Sequence, residues 1–311
     1  MNAKLQAHIA LIVVNLIYGA NYIIAKEVTP LYIKPFGFIV IRASMALLMY
    51  AILHRILTAI YPKNHLIHKP IERKDYPLLT ACGLFGVAIN QLLFFKGLSL
   101  TSPINASLIM ITAPILVLIF AAILIKEKIT IYKIFGIILG TLGAGYIIKS
   151  SYSSGAAGTN WLGDLFIFIN AASYGLYLVL VKPLMQRYHP FTIIKWVFFF
   201  GWFFVMPVGF SEFAAIEWHT FNTLIWACLA YVIIGTTFMT YLLNIFALQK
   251  VDASVVSTYI YTQPIIATSI AILLGKDTLS GEKIISAIFI FIGVFLVSQT
   301  FTKKETIAKT N

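Results

Sequence analysis

The residues of this chain that could do chemistry are polar side chains embedded in long apolar runs. Asn90 and Asn244 bring amides, and Tyr18 and Tyr174 bring phenolic hydroxyls, to stretches that consist mostly of aliphatic and aromatic residues. In a bilayer a polar side chain that faces lipid is energetically costly, so these groups are expected to turn inward. Inward-facing amides, hydroxyls and tyrosine rings suit a small, partly apolar, uncharged or zwitterionic solute.

The helical period sorts these polar residues onto narrow faces, at roughly 100° per residue. The predicted binding residues are Tyr18, Asn90, Tyr174, Tyr177, Thr240, Asn244 and Tyr261. The alternative is that such residues only join helices, because Ser, Thr, Asn and Gly let helices approach closely and form hydrogen bonds. That alternative is favoured for the serines and threonines.

One cation and two prolines also fall within the apolar runs. The charge of Arg42 needs a partner or must reach the membrane surface, and Asp164 lies at a depth where the two could form an ion pair. Structural pairing or headgroup contact is favoured over substrate binding for Arg42. Pro114 and Pro264 each remove a backbone donor, which predicts kinks that could bend gating helices.

The elements that position these residues are predicted to be membrane-spanning helices. Of 311 residues, 60% are hydrophobic and 11% are charged, so the bilayer must be the solvent for much of the surface. Division of the chain at its charged and Gly/Pro-rich stretches predicts an all-α protein with ten such helices. They cover residues 6–25, 35–53, 76–97, 103–125, 131–149, 161–182, 191–210, 221–248, 253–275 and 281–301.

The net charge of +12 is a topology signal, because the basic residues lie in loops between the predicted helices. If the N-terminus is inside, the cytoplasmic segments hold the larger basic set: Lys4, Arg55, Lys63, Lys69, Arg73, Lys74, Lys126, Lys128, Lys133, Lys182, Arg187, Lys195, Lys250, Lys303, Lys304 and Lys309. The opposite loops hold Lys26, Lys34, Lys96, Lys149, Lys276 and Lys283. The pattern predicts a multi-pass plasma-membrane protein with both termini in the cytoplasm and no nucleic-acid partner.

The second half of the chain repeats the first. A shift of 150 positions carries Lys96–Ile147 onto Phe246–Val297 without a gap, placing Pro114 on Pro264 and Gly143 on Gly293. Five helices per copy is an odd number, so the copies are predicted to be inverted around a central cavity. The predicted division is a first repeat at 1–149, a linker at 150–160, a second repeat at 161–303 and a cytoplasmic tail at 304–311.

A recurring motif carries a family resemblance. It runs from Phe95-Lys96-Gly97 through Ser107, Pro114, Lys126-Glu127, Gly136 and Gly140, and the second copy keeps Ser257, Pro264, Lys276-Asp277 and Gly293. This pattern resembles the EamA family of the drug/metabolite transporter superfamily, and Arg42, Gly163-Asp164 and Tyr174 also look like family positions. The resemblance implies ten helices, an inverted repeat, a central cavity and movement of small metabolites, often outward. Ala253 in place of Pro103 departs from the pattern.

Other chemistries find little support in the sequence. There is no phosphate loop, zinc motif or nucleophile elbow, so we expect no nucleotide hydrolysis, no metal, no cofactor and no enzymatic activity. Cys82 and Cys228 fall within predicted helices and are expected to be free thiols. No carboxylate lies near the centre of a predicted helix, which favours a facilitator, exchanger or substrate-driven exporter over a proton-coupled carrier unless Asp164 takes that role.

The sequence therefore predicts a permease that moves a small metabolite outward by alternating access, with an amino acid or related solute as the leading substrate. A nucleotide-sugar or phosphorylated substrate would need several cavity cations, and only Arg42 lies at depth. The tyrosines leave a cationic, drug-like substrate open. A polytopic membrane enzyme is the rival class. The predicted partners are the solute and the lipid bilayer, and the sequence leaves the oligomeric state undetermined.

Overall fold

The computed structural model describes residues 3–61, 68–125, 131–154, 160–251, 256 and 259–307. Within these ranges the regular secondary structure is helical, and no strand occurs. The principal helices are α1 (Ala3–Val28), α2 (Pro35–Ile60), α3 (Arg73–Leu100), α4 (Pro103–Leu124), α5 (Ile131–Ser154), α6 (Trp161–Arg187), α7 (Pro190–Ala214), α8 (Thr223–Leu248), α9 (Tyr259–Leu273) and α10 (Gly281–Ile307).

Within the described residues, seven of these helices are long and apolar enough to cross a membrane: α1 from Leu5 onward, α2, α3, α4, α6, α7 and α8. Two shorter apolar stretches, Ile134–Gly143 in α5 and α9 itself, accompany them. The all-helical, multi-pass membrane architecture is therefore confirmed. Ten spanning helices in two inverted repeats remain a prediction.

Helix starts follow local sequence chemistry. The Ser102 hydroxyl accepts the backbone N–H of Asn105 at 3.2 Å at the start of α4, and the Asn222 side chain accepts that of Ile225 at 3.0 Å at the start of α8. Such oxygens satisfy donors that the first helical turn leaves open. Pro103 occupies the first turn of α4, where a missing N–H costs nothing.

Two helices contain a π-helical segment at related positions. The segment is Leu84–Ile89 in α3 and Tyr231–Met239 in α8, and the repeat shift of 150 carries Leu84 onto Ile234 inside the second segment. A π-helix adds a residue to the turn and rotates the residues that follow, and it is frequent at functional sites. A uniform period of roughly 100° per residue does not hold across these segments, so they alter which side chains face inward.

Glycines let α5 and α10 pack closely and reciprocally. A Cβ on Gly143 would lie 2.7 Å from Ile290, and a Cβ on Gly293 would lie 2.6 Å from the backbone nitrogen of Gly140. Under the repeat shift Gly140 corresponds to Ile290 and Gly143 to Gly293. The contact of Gly143 with Ile290 and the contact of Gly293 with Gly140 therefore join equivalent pairs of positions. Reciprocal contact of this kind is what a two-fold axis produces.

Some predictions concern residues outside the described ranges. Lys126, Glu127 and Ser257, on which the family resemblance partly rests, are among them, as are residues 155–159 of the predicted linker. Cys82 and Cys228 are described, and both are free and buried as predicted.

Candidate functional site

A cavity lies among α1, α3, α6 and α8, with contributions from α2, α4, α9 and Val256. The volume open to the centres of water molecules is about 70 Å³, which is room for several waters or a small solute. Its polar lining consists of Asn15, Tyr18, Asn21, Tyr22, Arg42, Asn90, Gln91, Asn170, Tyr174, Thr236, Tyr241, Asn244 and Gln263. Its apolar lining consists of Val14, Phe94, Phe95, Met110, Val256 and Ile260.

One amide network joins α1 to α9 along the cavity wall. The Tyr22 hydroxyl donates to Gln263 Oε1 at 3.0 Å, and Gln263 Nε2 donates to Asn15 Oδ1 at 2.7 Å. Asn15 Nδ2 then donates to the backbone carbonyl of Leu11 at 2.8 Å. Because this series of hydrogen bonds ends on a backbone carbonyl, which can only accept, the orientation of each side-chain amide in it is fixed.

A second network joins α3 to α6. Asn90 Nδ2 donates to Asn170 Oδ1 at 2.7 Å, and Asn170 Nδ2 lies 2.9 Å from the sulfur of Met110. Close by, the Ser173 hydroxyl donates to the carbonyl of Phe85 at 2.6 Å. The first copy thus meets the second through the half-buried amide of Asn90 and the buried amide of Asn170 at the cavity.

A third network connects a residue to its own repeat partner. Gln91 Nε2 donates to the Tyr241 hydroxyl at 3.1 Å, and these two positions are separated by 150 residues, the repeat shift. The Tyr241 hydroxyl donates its one hydrogen to the carbonyl of Gly86 at 2.9 Å. The Gln91 atom that faces this hydroxyl must therefore be the donor nitrogen. Gln91 Oε1 is therefore left as a buried acceptor, without a hydrogen-bond partner among the described residues.

Arg42 contributes the cation of the cavity. Its Nε donates to Thr237 Oγ1 at 2.8 Å, a second nitrogen lies 3.4 Å from Thr236 Oγ1, and its guanidinium carbon stacks 4.5 Å from the centre of the Phe95 ring. Both threonine hydroxyls donate to the carbonyl of Val232, within the π-helical segment of α8. These contacts hold the guanidinium in one plane, and Arg42 as a whole is 4% exposed.

The structure does not bring Arg42 and Asp164 together as an ion pair. Asp164, which is fully buried, accepts hydrogen bonds from the Thr101 hydroxyl and from Asn105 Nδ2, the latter at 3.3 Å. Arg42 instead donates to the threonines of α8. The two charges belong to different networks because α6 presents Asp164 to the start of α4, whereas α2 presents Arg42 to α8.

The other predicted binding residues are distributed unevenly. Tyr18, Asn90, Tyr174 and Asn244 line the cavity, whereas Tyr177 lines a small adjoining pocket. Thr240 does not line the cavity, although its hydroxyl lies 3.0 Å from that of Tyr18 and donates to the carbonyl of Thr236 at 2.6 Å. This pattern matches the helix-joining alternative for Thr240.

Tyr261 lies outside the cavity lining, against α10, where its ring centre is 6.3 Å from that of Phe291. It belongs to a 3₁₀ turn, Tyr259–Thr262. The tighter turn of about three residues displaces it from the face that an α-helical period predicts. The same turn delivers Gln263 to the cavity.

Both predicted kink residues lie where a helix restarts. The first part of α4 ends at Met110 and the second begins at Ala113, so that Pro114 occupies its first turn. Pro264 occupies the first turn after the 3₁₀ segment of α9. At these positions proline leaves no N–H unsatisfied and separates two rigid segments.

One end of the bundle is closed by a cluster of polar contacts on the α3–α4 turn, residues 101–105. Lys26 Nζ from α1 donates to the carbonyl of Thr101 at 2.6 Å, and Asp164 from α6 binds Thr101 and Asn105. Asp277, between α9 and α10, accepts the backbone N–H of Ile104 at 3.2 Å. Elements from both copies thus converge on one turn.

Asp277 is held ionised within this closure. Burial raises the pKa of its carboxyl, but hydrogen bonds from Lys283 and Ser102 and the charge of Lys283 outweigh burial and bring the pKa below its usual 3.8. Lys283 Nζ lies 2.8 Å from Asp277 Oδ1, with both side chains about nine-tenths buried. The pair is therefore screened by water far less than an exposed ion pair.

Toward the other end, a narrow route leaves the cavity. The small adjoining pocket, of about 10 Å³, shares Tyr18, Tyr174, Tyr241 and Asn244 with the cavity. It shares Leu248 with a wider pocket of about 360 Å³ near Lys182 and Lys250. The cavity is thus shut by hydrogen bonds and ion pairs at one end and by a few aromatic and aliphatic side chains at the other.

Sequence reasoning missed several lining residues, of which Gln91, Tyr241 and Gln263 are the most polar. The π-helical segments lie just before Gln91 and Tyr241 and rotate them inward beside the predicted Asn90 and Asn244 faces. The signal that could have found them is the repeat itself, because Gln91 and Tyr241 are polar residues at matching positions.

A comparison with protein-family models gives one match that covers most of the chain. Residues 5–149 and residues 161–299 each match the model of the EamA-like transporter family. The two matched segments correspond to the two halves of the chain.

Individual relatives are similar along most of their length. The chain is 26% identical to an uncharacterized transporter of Archaeoglobus fulgidus over 82% of this chain and 87% of the relative. It is 25% identical to the uncharacterized transporter YyaM of Bacillus subtilis, over 94% of both chains. It is 24% identical to Protein WALLS ARE THIN 1 of Arabidopsis thaliana, over 94% of this chain and 82% of the relative.

A solved crystal structure has a similar fold. It superposes with a TM-score of 0.63 at 16% sequence identity, covering 96% of this chain and 98% of the other. At this identity the likeness concerns the fold alone.

Proposed function

The chain belongs to the EamA-like transporter family, and we propose that it moves a small amino acid or related solute outward across the plasma membrane. The mechanism we propose is alternating access without nucleotide hydrolysis. The observation that carries the proposal is the buried cavity between the two halves, whose wall is largely apolar but carries amide and phenol groups and a single charge, that of Arg42. Amides and phenols offer both donors and acceptors, which suits a small solute with both kinds of group.

The charge of the cavity argues against the other substrate classes. Arg42 is the one cation among the described lining residues, and no carboxylate occurs among them. A phosphorylated solute favours several cations. The aromatic rings of the wall could attract a cationic solute, but the charge of Arg42 would repel it and no carboxylate among the described lining residues would offset that repulsion. A single cation among amides is better suited to a solute of low net charge.

The inverted repeat remains part of this proposal, and two contacts support it. Gln91 binds its repeat partner Tyr241, and α5 packs on α10 through reciprocal glycine positions. In inverted-repeat carriers the solute site lies at the interface between repeats, near the middle of the membrane. The position of the cavity agrees with that arrangement.

Alternating access requires two ends that open in turn. The turn at residues 101–105 is closed by Lys26, Asp164 and Asp277. The route past Leu248 leads toward Lys182 and Lys250, on the side that the basic residues assign to the cytoplasm. We propose that the solute enters by this route and that the restarts at Pro114 and Pro264 bend when the closed end opens.

We further propose that transport is not driven by protons. No Asp or Glu lines the cavity in the described part of the chain, and Asp164 is committed to the closure at residues 101–105. Counterflow should therefore persist without a pH gradient. Uptake that required a pH gradient, and lost that requirement in Asp164→Asn, would refute this part of the proposal.

The test of the transport proposal is counterflow in proteoliposomes that contain the purified protein and no nucleotide. We expect wild-type protein to exchange at least one labelled L-amino acid, Asn244→Leu and Tyr174→Phe to impair exchange, and Tyr146→Phe to leave it unchanged. Tyr146 is a matched control because it is 41% exposed on α5, outside the cavity lining. Equal exchange by the wild-type protein and all three variants would show that transport does not depend on these cavity residues.

The direction of transport is tested in cells. We expect cells that contain the protein to lose a preloaded amino acid faster than cells that lack it, and Asn244→Leu to remove the difference. Accumulation of the amino acid inside the cells would contradict outward movement.

A further inference from the structure

Arg42 carries a charge that the protein leaves uncompensated. It is buried, and among the described residues it has no carboxylate partner. A guanidinium offers five N–H donors, and two of them face Thr237 and Thr236. Three donors remain (5 − 2) beside the cavity, with no hydrogen-bond partner in the described part of the chain. A buried charge in this position is costly unless an anion arrives to pair with it.

The surroundings of Arg42 fix its direction. Stacking on Phe95 holds the guanidinium plane, and the Nε bond to Thr237 holds one edge. Both threonine hydroxyls donate their hydrogens to the carbonyl of Val232, so they can only accept hydrogen bonds from Arg42. This arrangement preorganises the remaining edge of the fork, which is the geometry that binds a carboxylate through two parallel hydrogen bonds.

The same cavity holds buried acceptors that need a donor. Gln91 Oε1 has no hydrogen-bond partner among the described residues, and its orientation is fixed through Tyr241 and Gly86. Asn21 Oδ1 also has none within that part of the chain. A buried acceptor without a partner is unfavourable, and an N–H group of a ligand that reached it would remove that penalty.

We infer that Arg42 is the carboxylate-binding residue of the transport site and that the solute is a small carboxylate with a hydrogen-bond donor close to it. This inference rests on the proposed function and narrows it. The carboxylate binds the free edge of the guanidinium. The donor group of the solute binds the amide oxygens of Gln91 and Asn21, which are shielded from the cavity in this structure and become accessible as the solute enters. Amines and neutral sugars that lack a carboxylate are excluded, because they leave the charge of Arg42 unpaired.

The inference is tested by carboxamide analogues, which match the acid in shape and lack its charge. Wild-type proteoliposomes are assayed by counterflow with labelled L-amino acids, 2-hydroxy acids, 2-oxo acids, primary amines and neutral sugars. Each acid that moves is then competed with its unlabelled acid and carboxamide. We expect the carboxamide to compete about 30-fold more weakly or worse, the loss that follows when one partner of a buried charge pair is removed.

Arg42→Gln supplies the second measurement. We expect it to weaken competition by the acid about 30-fold or more and to leave competition by the carboxamide nearly unchanged, with Arg42→Lys in between. A merely structural role for Arg42 would weaken both competitors together. If Arg42→Gln does not fold, the comparison of acid and carboxamide in wild type decides alone.

The outcomes separate the two claims. Amino-acid counterflow with equal competition by acid and carboxamide overturns the role of Arg42 and leaves the proposed function standing. If only carboxylates other than amino acids move, and their carboxamides compete weakly, the amino-acid proposal is overturned and the carboxylate-binding role of Arg42 is supported. Movement of amines or sugars alone, or of no probe, overturns both.

Discussion

The contact between α3 and α6 offers a sharp test of how the two halves pack. A Cβ on Gly97 would lie 2.8 Å from the carbonyl oxygen of Gly163, and a Cβ on Gly163 would lie 2.9 Å from that of Gly97. Ordinary contact begins at 3.4 Å, so the shortfalls are 0.6 Å (3.4 − 2.8) and 0.5 Å (3.4 − 2.9). Because the obstructing atoms are backbone atoms, no side-chain rotation relieves the overlap.

The expected cost follows from two opposing effects. Overpacking of this kind destabilises by about 1–3 kcal/mol, whereas alanine in place of glycine favours the helix by about 1 kcal/mol. Gly145→Ala is the matched control, since nothing lies within 4 Å of a Cβ built there. Gly97→Ala and Gly163→Ala should therefore each be about 1–3 kcal/mol less stable than Gly145→Ala.

The double variant makes the test specific to this contact. Once one alanine has separated the helices, the second meets less resistance, so Gly97→Ala/Gly163→Ala should cost about 0.5–3 kcal/mol less than the sum of the single changes. The assay is unfolding of the purified protein in mixed detergent, followed by tryptophan fluorescence. Strictly additive costs, or single variants as stable as Gly145→Ala, would refute this packing.

Two further predictions concern charged groups at helix ends. Asp277 has a lowered pKa when folded, so its contribution to stability is complete above its usual value of 3.8 and is lost as pH falls through the lower folded value. The midpoint temperature of unfolding should therefore decrease once the pH is lowered below about 4, and Asp277→Asn should remove that decrease. A decrease of the same size in the wild-type protein between pH 7 and pH 5, also removed by Asp277→Asn, would contradict the lowered pKa of Asp277. Glu212 accepts the first backbone N–H groups of α2 at 2.7 and 3.0 Å, so Glu212→Ala should cost about 1 kcal/mol in unfolding measurements, while Glu217→Ala, an exposed control, should cost nothing measurable.

The helical period turns part of the predicted set of residues toward the cavity. Tyr18, Asn90, Tyr174 and Asn244 lie on polar faces that an α-helix of uniform pitch turns toward one axis, and all four line the cavity. Their role in binding stays a prediction. The composition and the repeat were sufficient to predict an all-helical membrane protein, because hydrophobic length and periodicity survive local irregularities.

The period failed where the backbone departs from the α-helix. Tyr261 lies in a 3₁₀ turn, which rotates it away from its expected face. Gln91 and Tyr241 follow π-helical segments and line the cavity beside the predicted Asn90 and Asn244, so the lined face is wider than a uniform α-helical period predicts. No local pattern announces these changes of pitch. The hydrogen-bond partners of Arg42 could not be predicted from local sequence, because Thr236 and Thr237 lie 194 and 195 residues away along the chain.

Reversible blockade of the cavity tests whether the solute passes through it. In a protein whose native thiols are removed by Cys82→Ala and Cys228→Ala, Asn244→Cys places one thiol in the cavity wall, and Tyr146→Cys places a control on the exposed side of α5. We expect a small methanethiosulfonate reagent to abolish amino-acid counterflow by Asn244→Cys, a reductant to restore it, and Tyr146→Cys to be unaffected. Undiminished counterflow by a fully labelled Asn244→Cys protein would contradict the claim that the solute passes through this cavity.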